Sequence, residues 1–316
     1  MFAYLVRRII TAVFITIAIA CITFAILHLM QASPARSVLG TRATPLAVAD
    51  WNRQHGYDRP FISQMISYLG DLLHLNFGYS YKAGQSVGSL LSENSGRSAY
   101  LSGASLVLSI LIAVPLGIFQ AVKRNSLLDY TATGLSFALY AMPAFFLGLI
   151  LIQVFAIDLN IFPPLVGDNI TTTWGAITHP SELCLPIVTL TALNIASYSR
   201  YMRSSALDGL AQDYVRLARA KGLSERLVLS RHLLRNAALP MVTLVGLSIP
   251  ALLAGNLLIE QLFNYPGLGL MFYNALGSYD YPVLLAYTII GGVLTVLGNL
   301  IADIAIAITD PRVRLD

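Results

Sequence analysis

Few residues in this chain could carry chemistry, and their spacing excludes the common reactions. A loop that cradles nucleotide phosphates needs Gly-x-x-x-x-Gly-Lys followed by Ser or Thr, so that the lysine reaches the phosphates. The three lysines, Lys82, Lys123 and Lys221, are followed by Ala, Arg and Gly, and none completes that pattern. Ser, His and Asp occur without a Gly-x-Ser-x-Gly turn to expose a nucleophile or a His-Glu-x-x-His helix to hold zinc. His28, His55, His74, His179 and His232 lie far apart with no ligand spacing, so structural roles are expected for all five. No catalytic residue and no metal ligand is assigned.

Ionisable side chains within apolar segments are functional candidates by default. Glu260 and Asp303 are the two that stand out. Both fall close to the end of an apolar run, so snorkelling or bonding a helix end comes first and lining a translocation path second. Asn194, Asn256 and Asn299 could line such a path too, although hydrogen bonds between helices are the plainer role for amides in a bundle.

The elements that must position these residues are membrane helices. Of 316 residues, 56% are apolar and only 11% charged, against about 25% charged in an ordinary soluble domain. The mean hydropathy of +0.68 agrees. Too few charges remain to cover a water-facing surface, and the same numbers exclude a disordered chain. A net charge of +4 does not point to nucleic acid, because the basic residues form no dense block. Cys21 and Cys184 lie in or beside apolar runs and read as small apolar side chains.

A bilayer core needs roughly 20 apolar residues in a helix. Six segments qualify: 9–30, 99–122, 131–157, 183–199, 236–259 and 281–308. The first is too long for a cleaved signal and reads as an uncleaved anchor. Arg7, Arg8, Lys123, Arg124, Arg312, Arg314 and the basic stretch 200–235 fall on one side, whereas the loops 158–182 and 263–280 have neither Lys nor Arg. The excess of basic residues on inner loops places both termini in the cytoplasm. Residues 31–98 then form an extracytoplasmic segment of mixed short structure.

Stretch 200–239 is much longer than a connection between two spans requires. Leu207, Leu210, Ala211, Tyr214, Leu217 and Ala218 recur at helical spacing, opposite Asp208, Gln212, Arg216 and Arg219. Gly222 breaks this helix, and Leu223, Leu227, Leu234 and Ala238 begin a second stripe. A helix–turn–helix across the cytoplasmic end is expected. Its basic face would suit anionic lipid, and its glycine-broken stripe would suit a protein partner.

These residues carry a resemblance. The run Asp213-Tyr214-Val215-Arg216-Leu217-Ala218-Arg219-Ala220-Lys221-Gly222-Leu223-Ser224, with Arg231-His232 and Arg235-Asn236, resembles the EAA loop of binding-protein-dependent ABC importers. The closest likeness is to the B-type permease of the dipeptide, oligopeptide and nickel branch. Asp58-Arg59-Pro60, Gly78-Tyr79-Ser80, Phe263-Asn264-Tyr265-Pro266-Gly267-Leu268-Gly269, Asn299-Leu300-Ile301-Ala302-Asp303 and Asp310-Pro311-Arg312 agree in order. Gly222 aligns with the glycine of the general importer pattern, but Arg216, Leu217 and Ala218 stand where that pattern has Glu-Ala-Ala.

The resemblance implies an all-α membrane protein with six transmembrane helices and the type I importer permease fold. Helix 1–30 would precede the extracytoplasmic segment 31–98, the core 99–309 and a cytoplasmic tail 310–316. Residues Arg216 to Ser224 would form the ATPase-coupling loop. Implied partners are a homologous second permease, two cytoplasmic ATP-binding subunits that hold ATP and Mg, an extracytoplasmic substrate-binding protein and membrane lipid. The chain itself would hold no cofactor and would form half of a path for di- or oligopeptides. Nickel chelates and antimicrobial peptides are alternatives within the family. A proton-coupled secondary transporter and a membrane scaffold or insertase are alternatives outside it, the former requiring a midplane carboxylate or His relay and usually an internal repeat.

Overall fold

The computed structural model of the protein describes residues 2–29, 34–40 and 42–309. The first apolar run forms α1 (Phe2–Leu29), whose uncharged part Ile10–Leu29 is long enough to span a bilayer. Phe14, Ile22 and Leu29 are exposed along it, as lipid-facing side chains should be.

The extracytoplasmic segment is helical with one small hairpin. It contains α2 (Pro34–Leu39), α3 (Pro45–Gln54) and α4 (Phe61–Leu73). Thr44 starts α3 by accepting the Ala47 N–H at 3.3 Å, and proline occupies the first helical position, where no hydrogen-bond donor is missed. Strands β1 (Tyr79–Ser80) and β2 (Gln85–Ser86) pair antiparallel, Tyr79 opposite Ser86 and Ser80 opposite Gln85. The Ser80 hydroxyl donates to Asp280, which ties this hairpin to the last membrane helix.

Ser86 then caps α5 (Val87–Val122) by accepting the Ser89 N–H at 3.2 Å. This helix begins at Val87, well before the expected 99. Its 36 residues extend about 54 Å at 1.5 Å per residue, far more than the bilayer core needs.

The third expected span, 131–157, is not one straight helix. It divides into α6 (Leu127–Ala141) and α7 (Ala144–Leu151), the latter continued by a π-helical turn, Ile152–Asp158, and the two parts bend by 109°. Pro143 causes the break: it removes a donor and disfavours helical geometry in the residue before it, and Met142 is extended.

After α8 (Thr173–Thr178) comes α9 (Pro180–Leu210), longer than the expected 183–199 at both ends. Its inner end therefore takes up the beginning of the stripe read as a separate loop helix. That stripe is interrupted by a turn at Ala211-Gln212 before α10 (Asp213–Ala220). Next come α11 (Glu225–Leu227), a π-helical turn Val228–Leu233 and α12 (Leu234–Ala237), bent by 51° from α13 (Leu239–Ala254).

The fifth expected span, 236–259, also ends early, because Gly255 adopts a φ of 81°. The chain re-enters helix as α14 (Leu257–Leu262) and α15 (Leu268–Ser278), and finishes the described part with α16 (Tyr281–Thr309). The expected tail 310–316 lies outside the described residues.

Among the described residues four helices are long and apolar enough to cross a membrane, and six segments are when each bent pair forms one span. The main contacts are α5 on α9 and α13 on α16, with α1 laid against α16. At the α5–α9 crossing a side chain on Gly117 would come within 2.6 Å of Met202 Cβ and 2.8 Å of the Ser199 carbonyl oxygen, so only glycine allows that approach. This is an all-α membrane fold with a short extracytoplasmic hairpin.

Candidate functional site

The basic stretch after α9 is built on the C-terminal end of that helix. Val215 and Ala218 lie on the underside of α10, packed with Met202, Ala206, Val228, Leu233 and Ala237. Leu223 closes the same cluster from beyond the turn. Ala218 is only 3% exposed, so it anchors the helix and is not part of the outward apolar surface expected from the sequence. Leu217, 57% exposed, supplies that surface. Arg216, Ala220, Lys221, Gly222 and Ser224 are exposed around it.

The turn after α10 is fixed by backbone and by charge. The Lys221 N–H donates to the Leu217 carbonyl at 3.0 Å, and the Gly222 N–H to that of Arg219 at 2.9 Å. Gly222 has a φ of +75°, which glycine adopts without the strain a side chain would bring, and it has open space on its outer side. Across the turn Arg219 donates two hydrogen bonds to Glu225, Nε to Oε2 at 3.1 Å and Nη2 to Oε1 at 2.6 Å. These bonds lower the Glu225 carboxyl below its ordinary range and raise the Arg219 guanidinium. Glu225 thus pairs with Arg219 across the glycine, six positions along the chain. Sequence reading missed it because the pair spans a turn, not a helical repeat.

A second pair holds the frame behind α10. Arg203 on α9 grips Asp129 on α6 through two bonds. Asp129 also accepts the Asn125 N–H at 3.0 Å. The short α5–α6 turn is thereby fastened to the helix that carries α10.

Beside the N-terminal half of α5, Glu260 is 0% exposed. Its carboxylate accepts Ser98 Oγ at 2.7 Å and the backbone N–H groups of Asn256, Gly269 and Leu270 at 3.1, 2.7 and 3.2 Å. Two of those N–H groups belong to the first turn of α15, where unpaired donors and the helix dipole favour a carboxylate. Ser98 Oγ in turn accepts the Leu268 N–H at 2.8 Å. Nearby, Tyr265 Oη donates to the Arg97 carbonyl at 2.7 Å, and Arg97 Nη1 donates to the Thr171 carbonyl at 2.7 Å. Glu260 therefore holds the α14–α15 loop against the outer part of α5.

Of the five expected path residues, the fold brings together only Asn256 and Glu260. Asn256 caps α14, its Oδ1 accepting the Ile259 N–H at 3.3 Å. Both belong to this clamp, and Glu260 has no solvent-facing surface with which to line a path. Asn194 on α9 and Asn299 on α16 are half-buried and apart from it. The Asp303 side chain lies outside those described.

Helices of this length and order, two of the spans broken, with a basic turn packed on one end, define a polytopic membrane protein. Comparison with known proteins agrees. Residues 113–315 match the family described as binding-protein-dependent transport system inner membrane component, and residues 1–94 match its N-terminal companion family. Over 99% of its length the chain is 36% identical to the whole of the oligopeptide transport system permease protein AppB of Bacillus subtilis. It is 32% identical, over 99% of both chains, to the dipeptide transport system permease protein DppB of Escherichia coli K12. The same identity and coverage hold for the glutathione transport system permease protein GsiC of Salmonella choleraesuis. The chain belongs to the binding-protein-dependent transport system inner membrane component family. It is a multi-pass inner-membrane permease subunit of an ABC importer complex, not a catalytic enzyme, and ATP hydrolysis is carried by separate subunits of that complex.

Proposed function

We propose that this permease forms half of the path by which short peptides enter the cell, and that α10 and its turn receive the stroke of the ATPases. The substrate class rests on one observation: full-length relatives are named for oligopeptide, dipeptide and glutathione transport. The coupling assignment is supported by an exposed Leu217 on a short helix whose underside is locked into the core and whose end is clamped by Arg219 and Glu225. Such a helix can pass a push into α9 without deforming. Its partners are a homologous second permease, two ATP-binding subunits that hold ATP and Mg, and an extracytoplasmic binding protein, with both termini of this chain cytoplasmic.

The test is reconstitution of the whole complex in proteoliposomes. ATP-dependent accumulation of labelled di- and tripeptides is expected, together with ATPase stimulation by the same peptides. Uptake restricted to nickel chelates would reassign the cargo. Peptide uptake driven by a proton gradient without ATP would overturn the assignment of an ATP-driven importer.

A further inference from the structure

A cavity of about 660 Å³ opens on the extracytoplasmic side, between α3, α4, the outer end of α1 and the start of α16. Its volume falls in the range of small-molecule sites, roughly 300–1,000 Å³. It lies apart from both the cytoplasmic turn and the Glu260 clamp. Its walls are of three kinds. Phe24, Leu27, Phe77 and Leu285 form an apolar side, rings such as Tyr57 and Tyr68 form an aromatic side, and Arg59 and Asp71 bring opposite charges.

The polar groups there have spare capacity. Arg59 enters no ion pair among the described residues, while the Asp71 side chain is touched only by the Asn76 amide at 3.4 Å. The backbone presenting Arg59 is fixed, because Gln64 Nε2 donates to the Tyr57 and Arg59 carbonyls at 3.2 and 2.8 Å.

We propose that this cavity binds a small zwitterion with an apolar body, Arg59 receiving its anionic group and Asp71 its ammonium. Two sources offer this chemistry: a free dipeptide, or the headgroup of phosphatidylethanolamine. For a dipeptide ligand the proposal rests on the transport reading, but its test uses no ATP, so failure here leaves that reading intact.

Trp51 provides the reporter. Its ring stacks on His55 and Tyr57, with centroids 4.0 and 5.6 Å apart, and both of those residues line the cavity. With exposed Trp174 replaced by Phe, the full-length chain in an uncharged maltoside detergent is titrated with alanyl-leucine, its C-terminal amide and phosphatidylethanolamine. A saturable change in Trp51 fluorescence is expected. Arg59→Gln should weaken alanyl-leucine binding about tenfold, the loss of one charge-assisted contact, while Arg59→Lys retains most of it. The amide should bind the parent and Arg59→Gln alike, and Asp71→Asn should weaken every ligand with a free ammonium. A response to phosphatidylethanolamine alone, abolished by Arg59→Gln, assigns the site to the lipid headgroup within the same chemistry. No saturable response to either ligand, or responses unchanged in both charge variants, would overturn the proposal.

Discussion

Arg203 and Asp129 form a two-pronged ion pair, Nε to Oδ1 at 2.8 Å and Nη2 to Oδ2 at 2.7 Å, between the inner ends of α9 and α6. The partners are unequal: the Asp129 side chain is 2% exposed and that of Arg203 is 26% exposed. Removing the arginine strands a carboxylate with little water to turn to, whereas a freed arginine can reach solvent. Arg203→Gln should therefore destabilise the chain by roughly 3 kcal/mol, and Asp129→Asn by clearly less. Thermal unfolding of both variants in detergent decides this, and equal losses would contradict it.

Glu260→Gln is nearly isosteric, yet it should damage the outer loop. The carboxylate serves four donors, and an amide replaces one acceptor oxygen with a group that only donates. The Gly269 and Leu270 N–H groups would then face another donor, and each buried group left unpaired costs about 1–3 kcal/mol. Faster proteolysis within 263–280 and a lowered unfolding midpoint are expected. Glu260→Asp should be milder, since its charge is kept.

Leu217→Asp should leave the isolated chain as stable as the parent, because the side chain is exposed. In the assembled importer it should sharply reduce co-purification of the ATP-binding subunits, or uncouple hydrolysis from uptake. Gly222→Asn is the companion variant: asparagine tolerates a positive φ better than other side chains, so it tests occupancy of the space beside the turn with the least backbone strain. Normal assembly and uptake by both variants would remove the coupling role.

The Arg219–Glu225 clamp predicts a pH dependence. The Glu225 carboxyl lies below its ordinary value of 4.5 because Arg219 hydrogen-bonds it. A lowered folded-state value means that the stabilisation is complete above the unfolded value and is lost as pH falls through the folded one. Protection against hydrogen exchange at 221–224, taken relative to the intrinsic rate at each pH, should be full at neutral pH and fall only in acid below that range. Glu225→Gln should show the reduced protection at all pH values.

Membrane sidedness can be read with single cysteines after Cys21 and Cys184 are replaced. Ser80 is a poor outer probe, because it is wholly buried against Asp280. Lys82→Cys, two residues on and exposed, should react with an impermeant reagent in sealed cells, and Ser224→Cys should not. The reverse labelling would invert the orientation.

The apolar runs made the membrane helices legible, since hydropathy reports the solvent a segment needs. Their ends were less legible. The start of α5 at Val87 is polar in sequence and is helical because Ser86 caps it and the clamp around Ser98 buries it. The Pro143 break was visible as a proline, but its 109° bend depends on what packs on either side. Gly222 announced the turn, while its clamp, Arg219 to Glu225, did not show as a periodic pair. Asp129 and Arg203 are 74 positions apart, and the Glu260 clamp draws on α5, α14 and α15. Contacts of that kind are set by tertiary structure and have no local signature. Ala218 and Leu217 are adjacent in the stripe, yet one is core and the other surface, because successive residues of a helix point about 100° apart and α10 packs on one narrow face.

The length of α5 carries a mechanical consequence. Ser98 belongs to the outer clamp and Gly117 to the tight crossing with α9, and at 1.5 Å per residue they are about 28 Å apart along one helix axis. A hydrogen-bonded helix resists stretching, so the separation of these two anchor points is effectively constant. Any opening on one face of the membrane must then be geared to a displacement on the other, in the manner of a seesaw and not of a spring.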